Sequence, residues 1–130
     1  MSKAFSEFDL DLEFGQEGEN YVKELLTGGH TIEVKRDRRW KETGNLYIET
    51  SCFFTARNAW ANSGLSVTKA KYWAFVLEDA TLIVPTDALR YAVTEFGSYI
   101  ECRIPPNFSK GVLLTVPQIL KAVKEYKGDN

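Results

Sequence analysis

The segment that most restricts the fold lies between Thr31 and Phe54. In Thr31-Ile-Glu-Val-Lys-Arg-Asp37 the apolar Ile32 and Val34 alternate with charged residues, the period of a strand with one buried face. Leu46-Tyr-Ile-Glu-Thr-Ser-Cys-Phe-Phe54 reads as a second strand, and the polar run Lys41-Glu-Thr-Gly-Asn45 supplies turn residues between them. The simplest arrangement is a hairpin with its tip near Thr43. A turn centred there sets Asp37 opposite Glu49 and Lys35 opposite Ser51 on one face, with Ile32, Val34 and Ile48 on the buried one. A slip of one residue would separate these side chains.

Around this segment the pattern alternates between helix and strand. A helix is expected from about Gly15 to Leu26, where Tyr21, Val22, Leu25 and Leu26 fall at helical spacing and Thr27-Gly28-Gly29 ends it. Residues 55–71 read as a loop with a short helical piece around Val67 to Lys71. Tyr72–Leu77 and Thr81–Pro85 are apolar runs joined by Glu78-Asp79-Ala80, a second strand pair. Thr86 is expected to cap a helix from Asp87 to Phe96, closed by Gly97, and Ser98–Ile104 reads as a short strand ended by Pro105-Pro106. Thr115-Val-Pro-Gln118 has the form of a capping box opening a last helix to about Tyr126. The expected fold is α/β or α+β, a central mixed sheet with flanking helices, with residues 1–130 as a single domain.

Composition removes several function classes. A chain of 130 residues with 44% hydrophobic content supports one core. No apolar stretch approaches the roughly 18 residues needed to span a bilayer, and the acidic amino-terminal segment is unlike a secretory signal. Cys52 and Cys102 do not make a disulfide framework, so a reducing, cytoplasmic setting is expected. The single His30, in a Gly-Gly-His turn, leaves no zinc spacing and little scope for histidine catalysis. The net charge of −2 hides an asymmetry, because Lys35-Arg-Asp-Arg-Arg-Trp-Lys41 is strongly basic while residues 1–26 are strongly acidic. A basic stretch containing Trp40 suits phosphates and a stacked base, or alternatively a solvated hairpin face.

The chemistry follows from the expected hairpin. Two adjacent carboxylates repel unless a divalent cation sits between them, and oxygen ligands suit Mg²⁺ or Mn²⁺. A lysine beside them can stabilise charge on a phosphodiester. The competing reading is a cross-strand salt bridge on a wet sheet face. Three features carry a family likeness: Gly15-Gln-Glu-Gly-Glu19-Asn-Tyr-Val22; Asp37 followed by Ile48-Glu49; and Ser63-Gly64-Leu65 with Thr68-Lys-Ala70 and Tyr72-Trp73. Over residues 14–90 the chain resembles the PD-(D/E)XK nuclease superfamily, in particular its small phage-type and Holliday-junction-resolvase-like members.

The resemblance implies a restriction-endonuclease-like core and Mg²⁺-dependent hydrolysis of DNA, branched or from phage or host. It implies Asp37 and Glu49 as metal ligands, Glu19 as a third ligand or support for the metal-bound water, and often a homodimer in a bacterial or phage-infected cell. The family's Glu-x-Lys is Glu49-Thr50-Ser51 here, so Lys35 is assigned the displaced lysine role. Glu33 is a further candidate ligand and Glu17 an alternative to Glu19. Arg38, Arg39, Lys41 and Lys69 are the expected phosphate contacts, Ser66 and Thr68 lesser ones, and Trp40 either a stacking group or a core aromatic. A catalytically inactive nucleic-acid-binding or interaction module on the same fold, and a structural domain with a solvated hairpin, remain as alternatives.

Overall fold

The computed structural model describes residues 3–104 and 108–127, with side chains at the amino end from position 12 onward. The chain divides into two compact units, Met1–His30 and Thr31–Asn130. The first is a single long helix, α1 (Lys3–Thr27), which begins well before the expected start at Gly15. Each interior glycine costs about 1 kcal/mol against alanine, too little to end a helix in which Gln16, Glu17 and Glu19 are good formers. Its end matches the Thr-Gly-Gly signal: the Gly28 amide bonds Glu24 O at 2.7 Å and Gly29 adopts φ 75°. His30 closes the turn, its Nε2 lying 3.5 Å from Glu24.

The second unit is α+β. Its strands are β1 (Ile32–Arg36), β2 (Asn45–Phe54), β3 (Ala59–Asn62), β4 (Tyr72–Leu77), β5 (Ala80–Pro85), β6 (Ser98–Cys102) and β7 (Ser109–Thr115). They form a three-stranded mixed sheet, β1-β4-β5, and a four-stranded antiparallel sheet, β3-β2-β7-β6. The one central sheet expected from the sequence is therefore two. Helices α3 (Thr86–Phe96) and α4 (Val116–Glu125) share a core with both: Leu46, Ile48, Trp73, Phe75, Leu89 and Ile119 belong to one buried cluster.

The expected hairpin of the first two strands does not form. β4 buries Trp73, Ala74 and Phe75 in succession, so both its faces are covered and it takes the centre of its sheet. It receives β1 in parallel, with Lys35 beside Phe75, and β5 antiparallel. The polar run after β1 coils into a one-turn helix, α2 (Trp40–Thr43), closed by Gly44 at φ 75°, which sends β2 into the other sheet. Asp37 is thus not opposite Glu49, nor Lys35 opposite Ser51. Nor does Val34 face the core; it is 63% exposed, while Glu33 and Lys35 share a strand face with the register partners Trp73 and Phe75.

Other departures are local. Residues 55–71 contain β3 and a 3-10 turn, Gly64–Ser66, where a loop and a later helical piece were expected. β7 replaces an unread stretch and pairs both β2 and β6. Thr86 is inside α3 and does not cap it; its hydroxyl donates to Ala70 O at 2.6 Å. The strand pair β4–β5 and the strand β6 follow expectation, and so does the capping box, with Gln118 N bonding Thr115 Oγ1 and Thr115 N bonding Gln118 Oε1. Cys52 and Cys102 are free thiols in β2 and β6, both in register with Ser109 of the strand between them. Two ladder spacings, roughly 10 Å, separate such positions, beyond disulfide reach. Among the described residues no helix is long and apolar enough to cross a membrane.

Candidate functional site

Although β1 and β2 lie in different sheets, Lys35, Asp37 and Glu49 line one cleft of ≈ 540 Å³, together with Arg38 and Arg39. Asp37 joins the two strands by its carboxylate. Its Oδ1 accepts from the Arg39 amide at 2.8 Å, fixing the turn into α2, and its Oδ2 accepts from the Tyr47 amide of β2 at 3.0 Å. Tyr47 and Glu49 are two apart on β2, so they share a sheet face. A side chain ten residues earlier is therefore held against the strand that presents Glu49.

Glu49 is positioned by its neighbours on the following turn. Ser63 Oγ donates to its Oε2 at 2.8 Å, and the Ser63 amide bonds Thr50 O at 3.0 Å. Gly64 adopts φ 52°, and a Cβ there would run into the Glu49 carbonyl. Gly111, in register with Glu49 on β7, likewise leaves no room for a Cβ beside Ile48 O and the Tyr47 ring. The β2–β7 register slips between Glu49 and Ser51, a bulge of the kind that re-aims side chains beside functional sites. Because Glu49 pairs Gly111 and Ser51 pairs the adjacent Lys110, Ser51 projects from the opposite face. A lysine at position 51 would leave the cleft. Lys35 enters it from β1, with Nζ 3.0 Å from Glu33 Oε1 and 5.5 Å from the centre of the Trp73 ring.

The remaining candidates divide. Lys69 lines a second cavity of ≈ 460 Å³ with Glu33, Lys35, Glu49 and Thr68, so the two cavities share Lys35 and Glu49. Lys41 does not line the cleft itself; it pairs with Glu78 at 3.3 Å in a cavity that shares Arg36, Asp37 and Arg38 with it. Trp40 packs partly buried against the core, as the core-aromatic alternative has it. Ser66 is exposed in the 3-10 turn, whose path is held by Arg90 donating to Leu65 O and Thr68 O. Glu17 and Glu19 are exposed on α1, in the other unit. Tyr47, Ser63 and Arg90 were missed because their roles depend on long-range pairing; Ser63-Gly64 alone carried a local signal. Burial pushes the Tyr47 phenol above its ordinary range, against the opposing pull of its 2.7 Å bond with Ser109, so the cleft wall there is neutral.

The two carboxylates keep acceptor positions free. Each carboxylate oxygen carries two acceptor positions, so the single bonds to Asp37 Oδ1, Asp37 Oδ2 and Glu49 Oε2 leave coordination capacity at both residues. Among the described residues no group of three or more His, Cys, Asp or Glu is placed to hold an ion. No protein-family model, curated protein or solved structure matches the chain.

Proposed function

We propose that this chain is a metal-dependent deoxyribonuclease with a restriction-endonuclease-like core, hydrolysing DNA phosphodiester bonds in the cleft between β1 and β2. The observation that carries the reading is the convergence of Lys35, Asp37 and Glu49 on one cleft that also holds Arg38 and Arg39. Asp37 and Glu49 would hold Mg²⁺ or Mn²⁺, with the substrate's own phosphate oxygens supplementing them. When bound, such an ion neutralises phosphate charge and lowers the pKa of a coordinated water. Lys35 places its ammonium beside the scissile phosphate and stabilises the charge that builds there. Arg38 and Arg39 bind flanking phosphates, orienting the strand across the cleft. Cutting both strands of a duplex calls for two such sites, hence a homodimer or two successive encounters.

A second reading, a binding module without catalysis, is favoured by one observation: both Asp37 oxygens already serve backbone amides. Incubation of supercoiled plasmid and of branched DNA with Mg²⁺ separates the two. The nuclease reading predicts nicking that falls by about 10²-fold or more in Glu49→Gln and Asp37→Asn, the scale of losing one charge-stabilising group. Retention of DNA without product under any divalent ion supports the binding module and ends the nuclease reading. Lys35→Ala at wild-type rate would remove lysine from the mechanism.

A further inference from the structure

We propose that the β2–β3 hairpin is a second DNA-contact site, a ribbon that enters the major groove on one side of the cleft. This rests on the reading of the cleft as a DNA site and names how the duplex is gripped. The hairpin runs past the end of β7: Cys52 pairs Ser109 and the Phe53 amide still bonds Phe108 O at 2.8 Å, beyond which the Phe54–Ala59 pair leads into the turn as a two-stranded ladder. Its four-residue turn, Thr55–Asn58, is stabilised by Arg57 N to Phe54 O and Asn58 N to Thr55 O, with Asn58 at φ 48°. A two-stranded ribbon is thin enough for the major groove.

Charge identifies the occupant. From Thr50 to Leu77 the chain has no Asp or Glu, although it holds 18 in all. Arg57 lies with its guanidinium carbon 4.5 Å from the Phe54 ring centre, and Lys110 with its Nζ 4.3 Å from that of Trp60. Among the described residues neither cation has a carboxylate partner, in contrast to Lys35, Lys41, Arg90, Arg103 and Lys121. A ring orients a cation without neutralising it, and Glu101, the register neighbour of Lys110, is engaged by Arg103, so both positive charges remain for phosphates.

The two pairs sit on opposite faces of the ribbon. The bulge after Glu49 puts Cys52 and Phe54 on the face of Glu49, while Phe53 and Trp60 share the face of Lys110. Cations on both faces suit the two phosphate backbones that border a groove. From Glu49 to Phe54 is five residues of strand, ~16 Å, so the ribbon meets the duplex about five base pairs from the cleft at 3.4 Å per step.

The test is fluorescence anisotropy of a labelled duplex of about 20 base pairs in EDTA, where no cleavage occurs. The probes are the wild-type chain, Arg57→Ala with Lys110→Ala, and the single variants Arg57→Glu and Arg57→Lys, each checked for an unchanged melting temperature. The double variant is expected to bind about tenfold more weakly or worse, with the slope of log affinity against log salt reduced by about two. Arg57→Glu, at an exposed turn position, reproduces the loss, and Arg57→Lys restores most of it. Wild-type affinity and slope in the double variant overturn the proposal, as does the absence of duplex binding by the wild-type chain. Loss of affinity in the double variant of a chain that never cuts DNA leaves the ribbon standing and removes the nuclease instead.

Discussion

The two faces of β2 were written in the same ten residues and have opposite fates. Leu46 and Ile48 are sealed against Leu114 and Val112 of β7, Ile48 with no exposed surface at all. Tyr47 and Glu49, one step out of phase, stay half-buried and look into the cleft. On the core face any well-fitting apolar residue does the work, because burial is non-directional. On the cleft face each side chain is held by a specific hydrogen-bond partner: Ser63 for Glu49, Ser109 for Tyr47, and the Tyr47 amide itself for Asp37. Substitutions on the first face should therefore cost stability, and on the second chiefly activity.

The sharpest way to break that contrast is Ile48→Ala. It should cost about 2–5 kcal/mol by opening a cavity at the centre of the core, measured by urea unfolding, whereas Glu49→Gln should unfold within about 0.5 kcal/mol of wild type. Equal destabilisation by the two would mean that Glu49 is a structural residue. Next in size, Gly64→Ala should cost more than about 1 kcal/mol, since both its φ and the Glu49 carbonyl oppose a side chain. It should also shift Glu49 and so reduce DNA cleavage more than the stability loss alone explains. Smallest is Thr115→Ala, which removes the α4 cap at a residue that does not itself line the cleft. It should lower stability by about 1 kcal/mol and leave cleavage per folded molecule unchanged.

These differences also explain what the sequence could and could not disclose. The α4 cap was legible because a capping box is made of residues three apart, and β4–β5 because a short turn leaves antiparallel neighbours little alternative. The β1–β2 pairing misled for the converse reason. The same local pattern serves a hairpin or a helical turn between sheets, and the choice was made by β4, whose edge binds Ile32–Arg36 from forty residues away. The alternation in β1 points Val34 inward, yet the strand turns Glu33 and Lys35 toward Trp73 and Phe75. Asp37, Glu49 and Lys35 still share a cleft, but through the Asp37–Tyr47 bond and the bulge at Glu49, neither of which has a local signature.

Asp37 and Glu49 are proposed to act together on a single cation. A crystal of the chain grown with Mn²⁺, with anomalous scattering recorded, tests it most directly. One peak is expected in the cleft, with oxygens of both carboxylates at roughly 2.0–2.6 Å, lost in Glu49→Gln. A peak bound to only one of them, or none in the cleft at millimolar Mn²⁺, would contradict it.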